Sequence, residues 1–147
     1  MATAFWHVGL TVADLGRSIV FYRDVVGLDE GETMRSANAQ FAALVNNPGA
    51  ELKAVFMTQG AFTLQLLEYT AGGGRPLALD HNNPGSPHLS FFVADIDATY
   101  RAIAARGDVA ITSAIVANAR GTIRSFYAAD PDGVPVEFVE RTGVIQA

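Results

Sequence analysis

The sequence predicts an α+β protein made of two copies of a strand–helix–strand–strand–strand module within one chain. Three observations carry this expectation. The length, 147 residues with 50% apolar and 17% charged side chains, is that of one ordinary globular domain. An internal repeat lays HVGLTVADLGRSIVFYRDVVGL, starting at His7, over HLSFFVADIDATYRAIAARGD, starting at His88, with Val12-Ala13-Asp14 meeting Val93-Ala94-Asp95 without a gap. A second match aligns FTLQLLEY (62–69) with VPVEFVE (134–140), pairing Gln65 with Glu137 and Glu68 with Glu140.

Each copy opens with an apolar run of strand length around its histidine. The run ends at Asp14 or Asp95, and either carboxylate can accept the orphan N–H groups of a first helical turn. Leu15, Ile19, Tyr22 and Val26 then share one helical face, and Ile96, Tyr100, Ile103 and Gly107 follow the same stagger. Gly27 and Gly107 stand where a left-handed C-terminal cap belongs. Further strands are expected at 41–45 and 52–57 in the first copy, and from 111 and at 123–127 in the second. The repeat offset is 81 residues at the histidines and 72 at Gln65 and Glu137, so the first copy carries an insertion, part of it at Asn46-Asn47-Pro48-Gly49. The modules are expected at about 5–70 and 87–141, joined by the Gly-, Pro- and Asn-rich loop 71–86.

Composition excludes several function classes. Ten Lys and Arg against fifteen Asp and Glu give a net charge of −5, with no basic footprint for nucleic acid. No apolar run approaches membrane-spanning length, and the opening residues lack the features of a secretory signal, so a cytoplasmic protein without a membrane partner is expected. Cysteine is absent, which removes thiol nucleophiles and thiolate metal sites.

The chemistry is expected at His7, Gln65, His88 and Glu137. A single histidine on an apolar strand is commonly a satisfied core residue. Two at equivalent positions of a repeat, with Gln65 and Glu137 at a second equivalent pair, point instead to an inward-facing metal site. Imidazole, amide and carboxylate donors suit one divalent ion such as Zn, Mn, Co, Ni or Fe. Glu68 is the rival to Gln65, but it pairs with Glu140 and lies three residues on, so it points to the other face of a regular strand. His81 falls outside the repeat and reads as a solvated loop residue.

These segments resemble the vicinal oxygen chelate superfamily, which contains glyoxalases, bleomycin resistance proteins and extradiol dioxygenases. The landmarks are His7 through Leu15, Ser18 through Tyr22, Leu64 through Tyr69, Pro84 through His88, and Tyr127 through Gly133 with Glu137. The resemblance implies paired βαβββ modules in a curved, partly closed mixed β-barrel around one divalent metal held by His7, Gln65, His88 and Glu137. It implies a small-molecule substrate that chelates the metal through adjacent oxygens, and a homodimer. The ligand set is similar to that of methylmalonyl-CoA epimerase and close to that of glyoxalase I. Both remove a proton next to a carbonyl and stabilise an enediolate on the metal. Glu137 is then ligand and base, and Glu51 stands roughly where the epimerase carries a second glutamate. The alternatives are an extradiol ring-cleaving dioxygenase with Fe(II) or Mn(II) and a non-catalytic drug-binding protein. The former lacks its usual second-half histidine, because Asn118-Ala119-Arg120 occupy that neighbourhood. Tyr127, Arg124, Phe56 and Phe62 are expected pocket-wall residues.

Overall fold

The computed structural model describes residues 1–142, which divide into two compact units, Met1–Pro76 and a second beginning at Leu77. The first unit runs β1 (Val8–Thr11), α1 (Leu15–Phe21), β2 (Asp29–Ser36), α2 (Ala39–Leu44), β3 (Glu51–Gln59) and β4 (Phe62–Ala71). Its sheet has the order β1-β4-β3-β2, with β1 parallel to β4 and the other pairs antiparallel. The second unit runs β5 (Leu89–Phe92), α3 (Ile96–Arg106), β6 (Ala110–Ile111), β7 (Val116–Ala117), β8 (Ile123–Ala129) and β9 (Pro135–Arg141). Its order, β5-β9-β8-β6 with β7 also on β8, is the same topology with the edge strand, the counterpart of β2, broken in two. The α+β class and the repeated module are therefore observed. Neither sheet closes on itself, so the barrel implied by the resemblance is not formed by either sheet alone.

The helices start as the repeat predicts. Asp14 Oδ1 accepts from the Arg17 amide at 2.8 Å, and Asp95 Oδ1 from the Ala98 amide at 2.8 Å. α1 widens into a π-helical turn over Tyr22–Val26, closed by Gly27 at φ 88°. That widening rotates Val26 off the predicted stripe: Tyr22 is fully buried, whereas Val26 is half-buried. In each unit one sheet face packs on its helix. The first core gathers Leu10, Val55, Met57, Leu64 and Leu66 with Leu15 and Ile19. The second gathers Leu89, Phe126, Val136 and Phe138 with Ile96 and Ile103, and Tyr100 meets Phe126 edge-on at 5.0 Å. These apolar faces drive each module's folding.

Two elements depart from the expected order. Residues 41–45 lie mostly in helix α2, because Asn38 Oδ1 accepts from the Phe41 amide at 2.8 Å and caps an Ala-rich turn. α2 and the turn after it lie between β2 and β3 and supply most of the insertion in the first module. β2 was not anticipated: DEGETMRS is polar throughout and lies on the sheet edge. Its register against β3 shifts between Glu30 and Thr33, and a Cβ built on Gly31 would meet the Phe56 carbonyl oxygen at 2.6 Å, so only glycine fits that bulge. No helix among the described residues is long and apolar enough to cross a membrane.

Candidate metal and proton-transfer site

In the first unit Gln65 stands opposite Gly9 on β1 and opposite Phe56 on β3. Gln65 alternates with the buried Leu64 and Leu66, so it and Phe56 point away from the helix face. His7 lies immediately before β1, and its ring meets Phe56 edge-on at 5.4 Å and Trp6 edge-on at 4.5 Å. Trp6 stacks on Phe56 at 5.7 Å. A Cβ on Gly9 would come 4.0 Å from Gln65 Oε1, so glycine leaves the amide oxygen uncovered on that side. His7 Nδ1 is buried without a hydrogen-bond partner. A buried orphan nitrogen is what a divalent ion or a bound ligand would satisfy.

The second unit repeats this row. Glu137 stands opposite Ser90 on β5 and opposite Tyr127 on β8. Glu137 alternates with the buried Val136 and Phe138, so it also points away from the helix face. His88 lies immediately before β5, with its ring 6.1 Å from that of Tyr127. Ser90 Oγ donates to Glu137 Oε2 at 2.8 Å. Burial, and secondarily the charge of Glu137, raises the Tyr127 phenol above its ordinary value, so it stays protonated at neutral pH. Among the described residues no group of three or more His, Asp or Glu forms a ready cation cage. Each unit thus carries two of the predicted ligands.

The family model described as the Glyoxalase/Bleomycin resistance protein/Dioxygenase superfamily matches residues 4–138. The chain belongs to this superfamily. It is 28% identical over 145 residues to a 2-epi-5-epi-valiolone epimerase of Actinomyces sp., covering 94% of this chain and 79% of that protein. It is 29% identical over 136 residues to a lactoylglutathione lyase of Haemophilus influenzae, covering 91% and 90%. Among solved structures, a glyoxalase family protein from Bacillus cereus shares its fold with a TM-score of 0.81, 18% identity and 97% coverage of both chains. A fosfomycin resistance protein from Listeria monocytogenes does so with 0.69, 21% identity, and coverage of 97% and 96%.

Other residues expected at the site of this superfamily member are placed differently. Arg124 lies opposite Glu140, on the helix face of β8, and its guanidinium pairs with Asp97 of α3 at 2.8 Å and with Glu140 at 3.3 Å. It anchors a helix and is not a pocket wall on the Glu137 face. Phe62 alternates onto the face of Leu64 and Leu66, away from Gln65. Phe56 and Tyr127 do stand beside Gln65 and Glu137. Glu51 is exposed at the far end of β3, opposite Ala71. It lies six β4 positions from Gln65, about 20 Å at the usual strand rise.

The structure also adds residues. Ser90, two positions after His88, follows from strand alternation once His88 is singled out. Trp6 had a signal only in its adjacency to His7. His81 is an exposed loop residue, as expected, and its ring meets Tyr127 edge-on at 4.6 Å and lies 6.2 Å from that of His88. The Asp130-Pro131-Asp132-Gly133 landmark is a turn. The buried Asp130 accepts from the amides of Asp132 at 2.9 Å and Val134 at 2.8 Å, and so sets the hairpin that carries Tyr127 and Glu137.

Proposed function

We propose that this chain is a divalent-metal-dependent lyase or epimerase that removes a proton next to a carbonyl in a small substrate with two adjacent oxygens. The observation that carries the reading is the matched row in the two sheets. In each, a histidine just before the first strand stands two residues ahead of the position opposite Gln65 or Glu137. The names of the two curated relatives, an epimerase and a lyase, support the same chemistry.

His7, Gln65, His88 and Glu137 are the residues that would hold one ion per chain, and the buried, unpartnered His7 Nδ1 fits such a role. When bound, the ion acts as a Lewis acid on the substrate oxygens and acidifies the neighbouring C–H bond; Zn, Ni, Co, Mn and Fe(II) all accept this N/O donor set. Glu137 takes the proton. Ser90 occupies Oε2 and orients the carboxylate, and Oε1 has no hydrogen-bond partner among the described residues. The phenol of Tyr127, kept protonated, donates to a substrate oxygen. Trp6 and Phe56 pack edge-on against the His7 ring and hold its orientation. Glu137 then returns the proton to the neighbouring carbon, the shift that a lyase of this type makes, whereas inversion at the same carbon would need a second proton donor on the opposite face. The distance of Glu51 from Gln65 favours the one-carboxylate shift of a lyase over a two-base epimerisation that uses Glu51. The reading takes the protein as a cytoplasmic homodimer.

Elemental analysis after gentle purification tests the metal, and entry of solvent deuterium into 2-methyl acyl-CoA esters or hemithioacetals tests the proton step. Metal at one equivalent with deuterium exchange is the expected result. A chain that takes up no Zn, Ni, Co or Mn overturns the reading. Oxygen consumption with catechols under Fe(II) replaces it with ring cleavage.

A further inference from the structure

His81 lies in the connector ahead of His88, outside the two aligned segments of the repeat. The structure brings its ring beside Tyr127 and His88. Its ring lies edge-on to Tyr127 at 4.6 Å and 6.2 Å from His88, and Tyr127 stands opposite Glu137. The loop that carries it is tied down locally. The Asn83 amide donates to the Asp80 carbonyl at 3.0 Å, the Ser86 amide donates to the Asn83 carbonyl at 3.0 Å, and Asn83 Nδ2 donates to the Ala78 carbonyl at 3.3 Å. The ring nitrogens of His81 and His88 and the Tyr127 hydroxyl have no hydrogen-bond partner among the described residues. His81 and His88 are exposed, so these polar groups converge on a solvent-open face where an oxygen-bearing small molecule can displace water.

We propose that His81 is a substrate-contacting residue that determines specificity. Together with Tyr127 it hydrogen-bonds an oxygen substituent of the substrate beside the carbon that Glu137 deprotonates. The site then selects oxygen-rich substrates, hydroxy-ketones or hydroxyacyl compounds, over purely hydrocarbon acyl groups. Ring nitrogen and phenol oxygen together offer a donor and an acceptor, which reject an analogue lacking the oxygen more strongly than an apolar wall rejects one bearing it. This assignment rests on the metal-dependent reading above.

The test uses acetohydroxamate, whose two adjacent oxygens copy the chelating end of such a substrate, titrated into full-length chain loaded with Ni. His81→Ala is expected to retain stoichiometric Ni and to bind acetohydroxamate about tenfold more weakly, the loss of roughly one hydrogen bond. His81→Phe keeps the edge contact with Tyr127 but no nitrogen and should be as weak as His81→Ala. His81→Gln, with a donor and an acceptor, should recover most of the affinity. Unchanged acetohydroxamate affinity in His81→Ala, or full recovery in His81→Phe, overturns the assignment alone. Loss of Ni in His81→Ala makes the residue a ligand and also overturns it. A wild-type chain that takes up no Ni overturns the function from which the assignment is built, and the assignment with it.

Discussion

The carboxylate of Glu68 accepts a hydrogen bond from the backbone amide of Leu15 at 2.9 Å, at the first turn of α1. Its repeat partner Glu140 accepts from the amide of Ile96 at 3.3 Å, at the first turn of α3. Each module therefore fastens its helix to its last strand through a carboxylate that satisfies an orphan N–H and sits at the positive end of the helix dipole. Glu68 is committed to the helix face, where Lys53 also reaches it at 3.3 Å. Glu68→Ala is expected to cost about 1–2 kcal/mol of stability while leaving metal content intact. Gln65→Ala should weaken metal binding with little change in stability. Thermal unfolding and elemental analysis of the two variants separate the roles, and the opposite pattern would reverse the assignment of Gln65 and Glu68.

The chain has one tryptophan, Trp6, whose ring centroid is 4.5 Å from that of His7. An open-shell ion held at His7 must quench its emission by energy or electron transfer at so short a distance. Ni or Co should quench in a saturable, stoichiometric way. Closed-shell Zn should compete with them while quenching far less. His7→Ala is expected to abolish the response, and quenching that survives this variant would place the ion elsewhere.

Ser90 donates to Glu137 at 2.8 Å, which fixes the carboxylate and leaves one oxygen open. Ser90→Ala removes an orienting bond without removing a ligand. The proton-transfer rate is expected to fall about tenfold at unchanged metal content, since a single orienting bond is worth about 1 kcal/mol. Solvent-deuterium exchange rates measure this, and a wild-type rate in Ser90→Ala would show that Glu137 is oriented by something else.

The repeat made most of this arrangement legible, and the failures have physical causes. The Asp14 and Asp95 caps, both helix starts and the pairing of Gln65 with Glu137 follow from residues whose local chemistry recurs in both halves. β2 was illegible because an edge strand with exposed side chains needs no alternation of apolar residues. Residues 41–45 read as a strand because an apolar run is ambiguous until its cap, Asn38, is counted. Arg124 and Phe62 fall on the helix faces of β8 and β4, because one position of register decides which face a side chain occupies. His81 could not be found by repeat logic, because its contact with Tyr127 depends on the path of a loop outside the aligned segments.

Acid should loosen the second unit through Asp97. The Arg124 side chain, hydrogen-bonded at 2.8 Å, holds the Asp97 carboxyl below its ordinary 3.8. A carboxylate whose folded pKa is depressed contributes stability that is present above its unfolded value and is lost as pH falls through the folded one. Asp97→Asn should therefore flatten the decline of stability below about pH 4 and matter most at neutral pH. The effect is small because the pair is partly exposed and screened by salt. Urea unfolding at neutral and acid pH measures it, and an equal decline in both proteins would remove Asp97 from the acid response.

Ser18 is fully buried within α1, and its hydroxyl has no hydrogen-bond partner. Its place in the repeat belongs to Thr99, whose Oγ1 donates to the Asp95 carbonyl at 2.8 Å. The two modules thus solved the same helical position differently, and only the second satisfies its hydroxyl. A buried hydroxyl that keeps neither water nor a protein partner costs about 1–3 kcal/mol. Alanine at this position removes the unpaired group, creates almost no cavity and raises helix propensity. Ser18→Ala is therefore expected to stabilise the protein by about 1 kcal/mol and raise the melting temperature by a few degrees. Thermal unfolding decides it: a lower melting temperature would mean that the hydroxyl is satisfied in solution, by water or by a backbone carbonyl of α1.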